Sequence, residues 1–381
     1  MTGALEGLRV LDLSRFIAGP YCAMLLGDLG ADVVKAEKPG TGEEARLMRP
    51  RAGDESFYLL AFNRNKRGIT VDFRDEGDQR LLARLAERAD VLVENFRPGT
   101  LEKMGLAPDE LLRRNPGLIV ARCSGFGQDG PQAGRTGFDA IAQAESGLMS
   151  ISGEPGDKPM LSGTFMVDYS AGMQLTIGVL AALADRRRTG RGQVVDVALL
   201  DTAFSLMMTS ATEYLMRGEE TGQVGNRDRY GAPGNTYRSA DGWVHVVGGS
   251  DAHFPRLLTA MGRPELADDP RFRALEDRLA NRDAIDAIVG EWTAGLSCDK
   301  LVAVLEAAGV PCGRVNGVAG AVGHPQLRHR EMVAEVEHPA LGPVPLPGVT
   351  VKLSRTPGAV RLPPPRLGEH TDEVLADWLE G

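Results

Sequence analysis

"GLRVLDLSRFIAGPYCAMLLGDLGADVVKAE", residues 7–37, decides the fold class. Residues 7–14 are an apolar run that reads as a strand. "GPYCAMLLGDLG" (19–30) reads as a helix closed by Gly30, and "ADVVKAE" (31–37) as the next strand. Loops this short between strand, helix and strand belong to a β-α-β crossover, the unit from which parallel sheets are built. The pattern continues outward. "GITVDF" (68–73) is a strand, "DEGDQRLLARLAERA" (75–89) an amphipathic helix and "DVLVENF" (90–96) a strand, and "APDELLRRN" (107–115) leads into "GLIVARCS" (117–124). The expected fold is α/β, an open parallel sheet of Rossmann type in a large domain with a smaller α+β domain beside it.

The texture changes near residue 221, where "TGQVGNRDRYGAPGNTYRSADG" is glycine-rich and polar. This sets the expected domains: 1–200 large, 201–225 linker, 226–330 small, and 331–381 a C-terminal segment. The chain has 381 residues and a formal net charge of −9, so no nucleic acid is expected as partner. The first residues lack a charged start followed by an apolar core, and no eighteen consecutive apolar residues occur. No membrane partner is expected, and the cytoplasm is the default setting. Cys22, Cys123, Cys298 and Cys312 show no C-x-x-C spacing and the six histidines no ligand spacing, so no metal is expected.

Gly125, Gly127 and Gly130 spell G-x-G-x-x-G after a strand, the spacing of a dinucleotide loop. A pyrophosphate site needs the third glycine in the first turn of a helix. Here Pro131, Gly134 and Gly137 follow, and helix resumes only near Asp139. Neither NAD(P) nor flavin is therefore expected. A glycine loop at the carboxyl end of a strand still lets backbone approach another ligand.

"LDLSRFIAGPYCAMLLGDLGADVVKAEKPGTGEEAR", "NRNKRGITVDFR", "ADVLVENFRPGTLEKMGL", "GFDAIAQAESGLMSISGEP", "RRRTGRGQVVDVALLD" and "RLGEHTDEVL" resemble, in order, segments of the class III CoA-transferases, whose fold is shared with α-methylacyl-CoA racemases. The resemblance implies coenzyme A as co-substrate, an acyl-CoA and a carboxylic acid as partners, and an interlocked homodimer. It also implies a single aspartate nucleophile, which falls here on Asp168. Asp168 opens an apolar helix, where the dipole is expected to keep it ionised, although an ordinary N-cap is the plainer reading of the position. A carboxylate with its usual pKa near 4 needs no partner base at pH 7.

The same resemblance places the adenosine and phosphates near Arg15, Phe16, Ile17 and Ala18, near Lys38, along Val71, Asp72, Phe73 and Arg74, and near Asn95, Phe96, Arg97 and Lys103. The pantetheine is placed along Arg135, Thr136, Gly137 and Phe138. Tyr230, Gly231 and Gly234 stand where a glycine-rich loop shields the intermediates in the family. Racemases read "G-H-D" where this chain reads Gly137-Phe138-Asp139, and a phenyl ring moves no proton, so transfer is favoured over racemisation. A short dicarboxylate such as succinate or oxalate is the expected acid, with Arg227, Arg229 or Arg238 meeting its distal carboxylate.

Overall fold

The computed structural model describes residues 3–380. Six strands, β1 (Arg9–Asp12), β2 (Asp32–Glu37), β3 (Lys66–Thr70), β4 (Val91–Glu94), β5 (Ile119–Ser124) and β6 (Val194–Ala198), form one sheet in the order β3-β2-β1-β4-β5-β6. Every pairing in it is parallel. Val10 pairs with Val33 on one side and Val91 on the other, so the chain leaves β1 in opposite directions across the sheet. That order is the doubly wound one, and its crevice lies beyond the carboxyl ends of β1 and β4, where the direction reverses.

Both faces are largely apolar because helices cover both, with buried charges such as Asp12, Lys35, Lys66 and Glu94 set among them. On one face α2 (Glu76–Arg88) lays Leu82, Leu85 and Ala86 against Leu11, Val34, Leu92 and Val120, and Val374 and Trp378 of the C-terminal segment join the same core. Each fully buried leucine there contributes about 2 kcal/mol of transfer free energy. The other face carries α1 (Ala18–Asp28) and the 24-residue α4 (Met166–Thr189), with the short α3 (Asp139–Ser146) between them in sequence. Two glycines set how closely these elements lie. A Cβ on Gly172 of α4 would stand 2.7 Å from the carbonyl of Ala18, and one on Gly178 would stand 2.5 Å from Val195 Cγ1.

By length and composition α4 is apolar enough to cross a membrane. Its Val167, Ala171, Leu175 and Val179 are nevertheless wholly buried, packed on α1 and on strands β5 and β6. The helix is thus buried along one side, with Met173, Ile177 and Leu180 exposed elsewhere on it. Its charge also ends where a core helix ends, with Arg186, Arg187 and Arg188 in the last turn favourable to the dipole and Gly190 left-handed beyond it.

Two compact units divide the chain. The first holds residues 1–148, 161–217 and 325–381, and the second residues 149–160 and 218–324. Helices α5 (Leu199–Ser205) and α6 (Met208–Arg217) belong to the first unit, so most of the stretch expected as a linker is helix. The second unit is built on the antiparallel strands β7 (Gly234–Arg238), β8 (Trp243–Val247) and β9 (Cys312–Arg314), in the order β9-β8-β7. Helices α7 (Phe254–Met261), α8 (Arg282–Ala294) and α9 (Cys298–Ala307) cover it through Leu257, Val289 and Leu301. The C-terminal segment is fastened within the first unit by Arg67, which pairs with Asp32, Glu373 and Asp377 at 2.6–2.9 Å.

Candidate active site

Two cavities open at the carboxyl ends of β1, β2 and β4. The larger, about 720 Å³, is lined by Arg15, Lys38, Asp72, Phe73, Arg74, Phe96 and Lys103 among others. The smaller, about 200 Å³, is lined by Phe16, Ile17, Ala18, Asn95, Arg97, Arg135, Thr136, Gly137, Phe138 and Asp168. Arg15 and Phe96 line both, so the two meet there. The residues expected for the nucleotide and the pantetheine thus line these two cavities, with one exception among them. Val71 is buried in the sheet core and lines neither cavity.

In the larger cavity the side chains of Arg74 and Lys103 are exposed and, among the described residues, have no carboxylate partner. Lys38 stands 3.5 Å and Arg15 3.2 Å from Glu44, an exposed contact that water screens. The Arg15 guanidinium also lies over Phe96, 5.2 Å from its centroid. The apolar wall of Phe73 and Phe96 beside cations not committed to protein anions suits a ligand with an aromatic ring and phosphates.

Asp168 is the third residue of α4, whose N-cap is Phe165, so the plain N-cap reading does not hold. The helix-dipole expectation also needs correcting. The free amides of that helix end are taken by Asp139: its Oδ2 accepts from Val167 N at 2.8 Å and Asp168 N at 3.1 Å. Gln143 Nε2 donates to the other oxygen, Oδ1. Asp139 is buried, and sequence reading missed it as a functional residue. The available signal was the third letter of Gly137-Phe138-Asp139, a carboxylate at the first residue of a helix.

No group among the described residues donates a hydrogen bond to the Asp168 carboxylate. Burial, reinforced by the charge of Asp139, pushes its pKa up to about 7. It is therefore not held low, as a carboxylate bonded to helix amides would be. The neighbouring Cys123 is pushed well above the usual thiol range by burial and then by Asp168, so it stays a thiol. Opposite them, the amides of Ile17 and Ala18, at the start of α1, have no protein acceptor among the described residues. The cavity is therefore lined by one carboxylate without donors and by donors without acceptors, the Ile17 and Ala18 amides together with Arg15 Nε and Ser124 Oγ.

The G-x-G-x-x-G loop borders this cavity. Gly130 is nine residues short of α3, so no helix starts on it. Gly125 lines the cavity, and a Cβ there would stand 2.7 Å from Gly137 Cα, so the two backbone strands touch only because both residues are glycine.

The profile of the family described as CoA-transferase family III matches residues 5–371. The chain belongs to CoA-transferase family III. It is 39% identical over 377 residues to the succinyl-CoA–D-citramalate CoA-transferase of Chloroflexus aurantiacus, covering 98% of this chain and 94% of that one. It is also 39% identical over 286 residues to the acetyl-CoA:oxalate CoA-transferase of Acetobacter aceti, covering 75% and 74% of the two chains. A CAIB/BAIF family protein from Brucella suis superposes with a TM-score of 0.89 at 36% identity, over 99% of this chain and all of that one.

The remaining expected residues of this CoA-transferase lie in the second unit. Tyr230 is exposed, and Gly231 and Gly234 flank the turn into β7. Arg227 is committed to Asp283 and Asp286, at 2.6 and 2.9 Å. Arg229 donates to the Gly222 carbonyl and Arg238 stacks over Trp243. Arg227 therefore does not offer the free cation expected for a distal carboxylate. Among the described residues no group of histidines, cysteines and carboxylates could hold a metal ion.

Proposed function

We propose that this CoA-transferase moves CoA from a dicarboxylic acyl-CoA such as succinyl-CoA to a second short dicarboxylate, through an aspartyl-CoA thioester on Asp168. In this reading the nucleotide occupies the larger cavity, with Arg74, Lys38 and Lys103 on its phosphates, and the pantetheine passes Phe96 and Gly137 to reach Asp168. The ionised Asp168 oxygen attacks the thioester carbonyl, and the carbonyl electrons collapse back to expel CoA thiolate, leaving a mixed anhydride. The thiolate then attacks the aspartyl carbonyl and releases the first acid as its carboxylate. The acceptor carboxylate runs the same steps in reverse. Protons balance without a general base, because each leaving group is an anion and each nucleophile is one.

What the protein supplies is placement, dryness and donors for the oxyanions. The amides of Ile17 and Ala18 are fit for that task because nothing among the described residues claims them. The observation that carries the proposal is the Asp168 carboxylate, half-buried at a cavity without a donor of its own. Such a group is costly to keep and is ready to react. The succinyl, citramalate and oxalate substrates named for the relatives support the dicarboxylate. Phe138 in place of a proton-moving residue supports transfer over racemisation.

A homodimer is part of the proposal. Along α4–α6 the apolar Met173, Ile177, Phe204, Leu215 and Met216 are exposed, an accumulation that soluble chains ordinarily cover. The test of substrate class is an exchange screen. Purified protein is given succinyl-CoA and a panel of mono- and dicarboxylates, and new thioesters are read by mass spectrometry. Short dicarboxylate thioesters are expected, and turnover confined to monocarboxylates would overturn the assignment.

A further inference from the structure

Phe16 has a backbone φ of +65°, a left-handed conformation that a bulky L-residue adopts only when its surroundings impose it. The surroundings are unusually charged for a loop floor. Phe16 N donates to Glu43 Oε2 at 2.8 Å, and Glu43 Oε1 lies 2.8 Å from Lys35 Nζ. Both side chains of that pair are almost wholly buried. Lys35 Nζ reaches on to the Ser14 carbonyl at 2.9 Å, and Asn95 closes the loop from the other side, accepting from Arg15 N and donating to Arg15 O, both at 2.7 Å. Three successive residues are thus held from two sides by β2, the loop after it and the end of β4.

A buried ion pair is a poor way to gain stability, since its attraction barely repays the desolvation of two charges. Here the pair spans the strand that carries Lys35 and the strained peptide that immediately precedes Ile17 and Ala18. We propose that Lys35–Glu43 is a positioning pair: it holds Phe16 left-handed, and thereby fixes where the Ile17 and Ala18 amides stand in the Asp168 cavity. Glu43 touches no reacting atom, and its effect reaches the chemistry only through the loop backbone. The inference rests on the proposed use of those amides. Its test reads overall CoA transfer, so it stands apart from whether the aspartyl thioester itself is found.

The experiment compares Phe16→Gly with Phe16→Ala, alone and combined with Glu43→Gln. Both replacements lose the ring, and only glycine tolerates φ near +65° without cost. With Glu43 present, the kcat/KM values of the two single variants are expected to differ by no more than about threefold. In the Glu43→Gln background the hold on the loop weakens, and the glycine form is expected to be about tenfold more active than the alanine form. Equal Gly-to-Ala ratios in the two backgrounds would overturn the proposal, because a merely stabilising pair would lower both doubles alike. Should the Glu43→Gln forms fail to fold, hydrogen exchange of the unaltered protein decides. The Phe16 amide is expected to be protected, and exchange as fast as an unpaired loop amide would overturn the proposal equally.

Discussion

Asp139 Oδ2 binds both Val167 N and Asp168 N, so the carboxylate of one helix start caps the helix that carries the other. The arrangement does two opposing things. It satisfies the end of α4, and it denies those amides to the Asp168 side chain while setting a negative charge beside it.

Removing that charge without removing the acceptor separates the two effects. Asp139→Asn keeps an oxygen for the amides and lowers the electrostatic cost of ionising Asp168. The acid limb of the kcat/KM profile is expected to move down by roughly one pH unit. A profile that does not move would mean that Asp139 acts only as a cap.

The same pKa fixes the sign of the pH response. Asp168 must be ionised to attack, and its pKa of about 7 makes kcat/KM fall about tenfold per pH unit below that value. A rate constant flat between pH 5 and 8 would contradict this.

Stability runs the other way. A carboxyl whose pKa is raised on folding penalises the folded state increasingly as pH rises from about 4, and fully above about 7. Asp168→Asn is inactive on this account, yet its Tm is expected to exceed that of the unaltered protein at pH 8 and to lose the advantage on acidification. Equal Tm values at pH 8 would show that the burial is not costly.

Arg74 and Lys103 have, among the described residues, no protein anion to leave when a phosphate arrives. Replacing either by alanine is expected to raise KM for acyl-CoA about tenfold at unchanged kcat. The loss should shrink in high salt, which already screens these exposed cations. Unchanged KM would take the nucleotide out of the larger cavity.

Ile177 is 65% exposed on a helix otherwise buried on one side. Ile177→Arg is expected to halve the mass read by sedimentation, and a monomeric unaltered protein would contradict the dimer.

Much of this was legible from residue order. The strands around 7–14, 31–37 and 90–96 announced themselves because a sheet covered on both faces is rich in apolar β-branched and leucine residues, and their short connections left few topologies. Arg15 to Ala18, Asn95 to Arg97 and Arg135 to Phe138 converge because they follow β1, β4 and β5 at one edge of the sheet. What stayed hidden depends on contacts between distant residues. Nothing local tells that Asp139 will cap a helix 28 residues away, or that Glu43 will meet Phe16 and Lys35. The helix dipole misled for the same reason, since its amides were already claimed. The linker expected at 201–225 was drawn too early, since the polar composition that marks it begins only beyond 217 and the residues before it are largely helix.

The central claim concerns one covalent bond. Purified protein is mixed with succinyl-CoA without an acceptor acid, quenched, digested under acid and read by mass spectrometry. The account predicts that the peptide containing Asp168 gains the mass of CoA less water, and that hydroxylamine removes it. Full-rate transfer by Asp168→Ala, or a CoA adduct on any other residue, would contradict it.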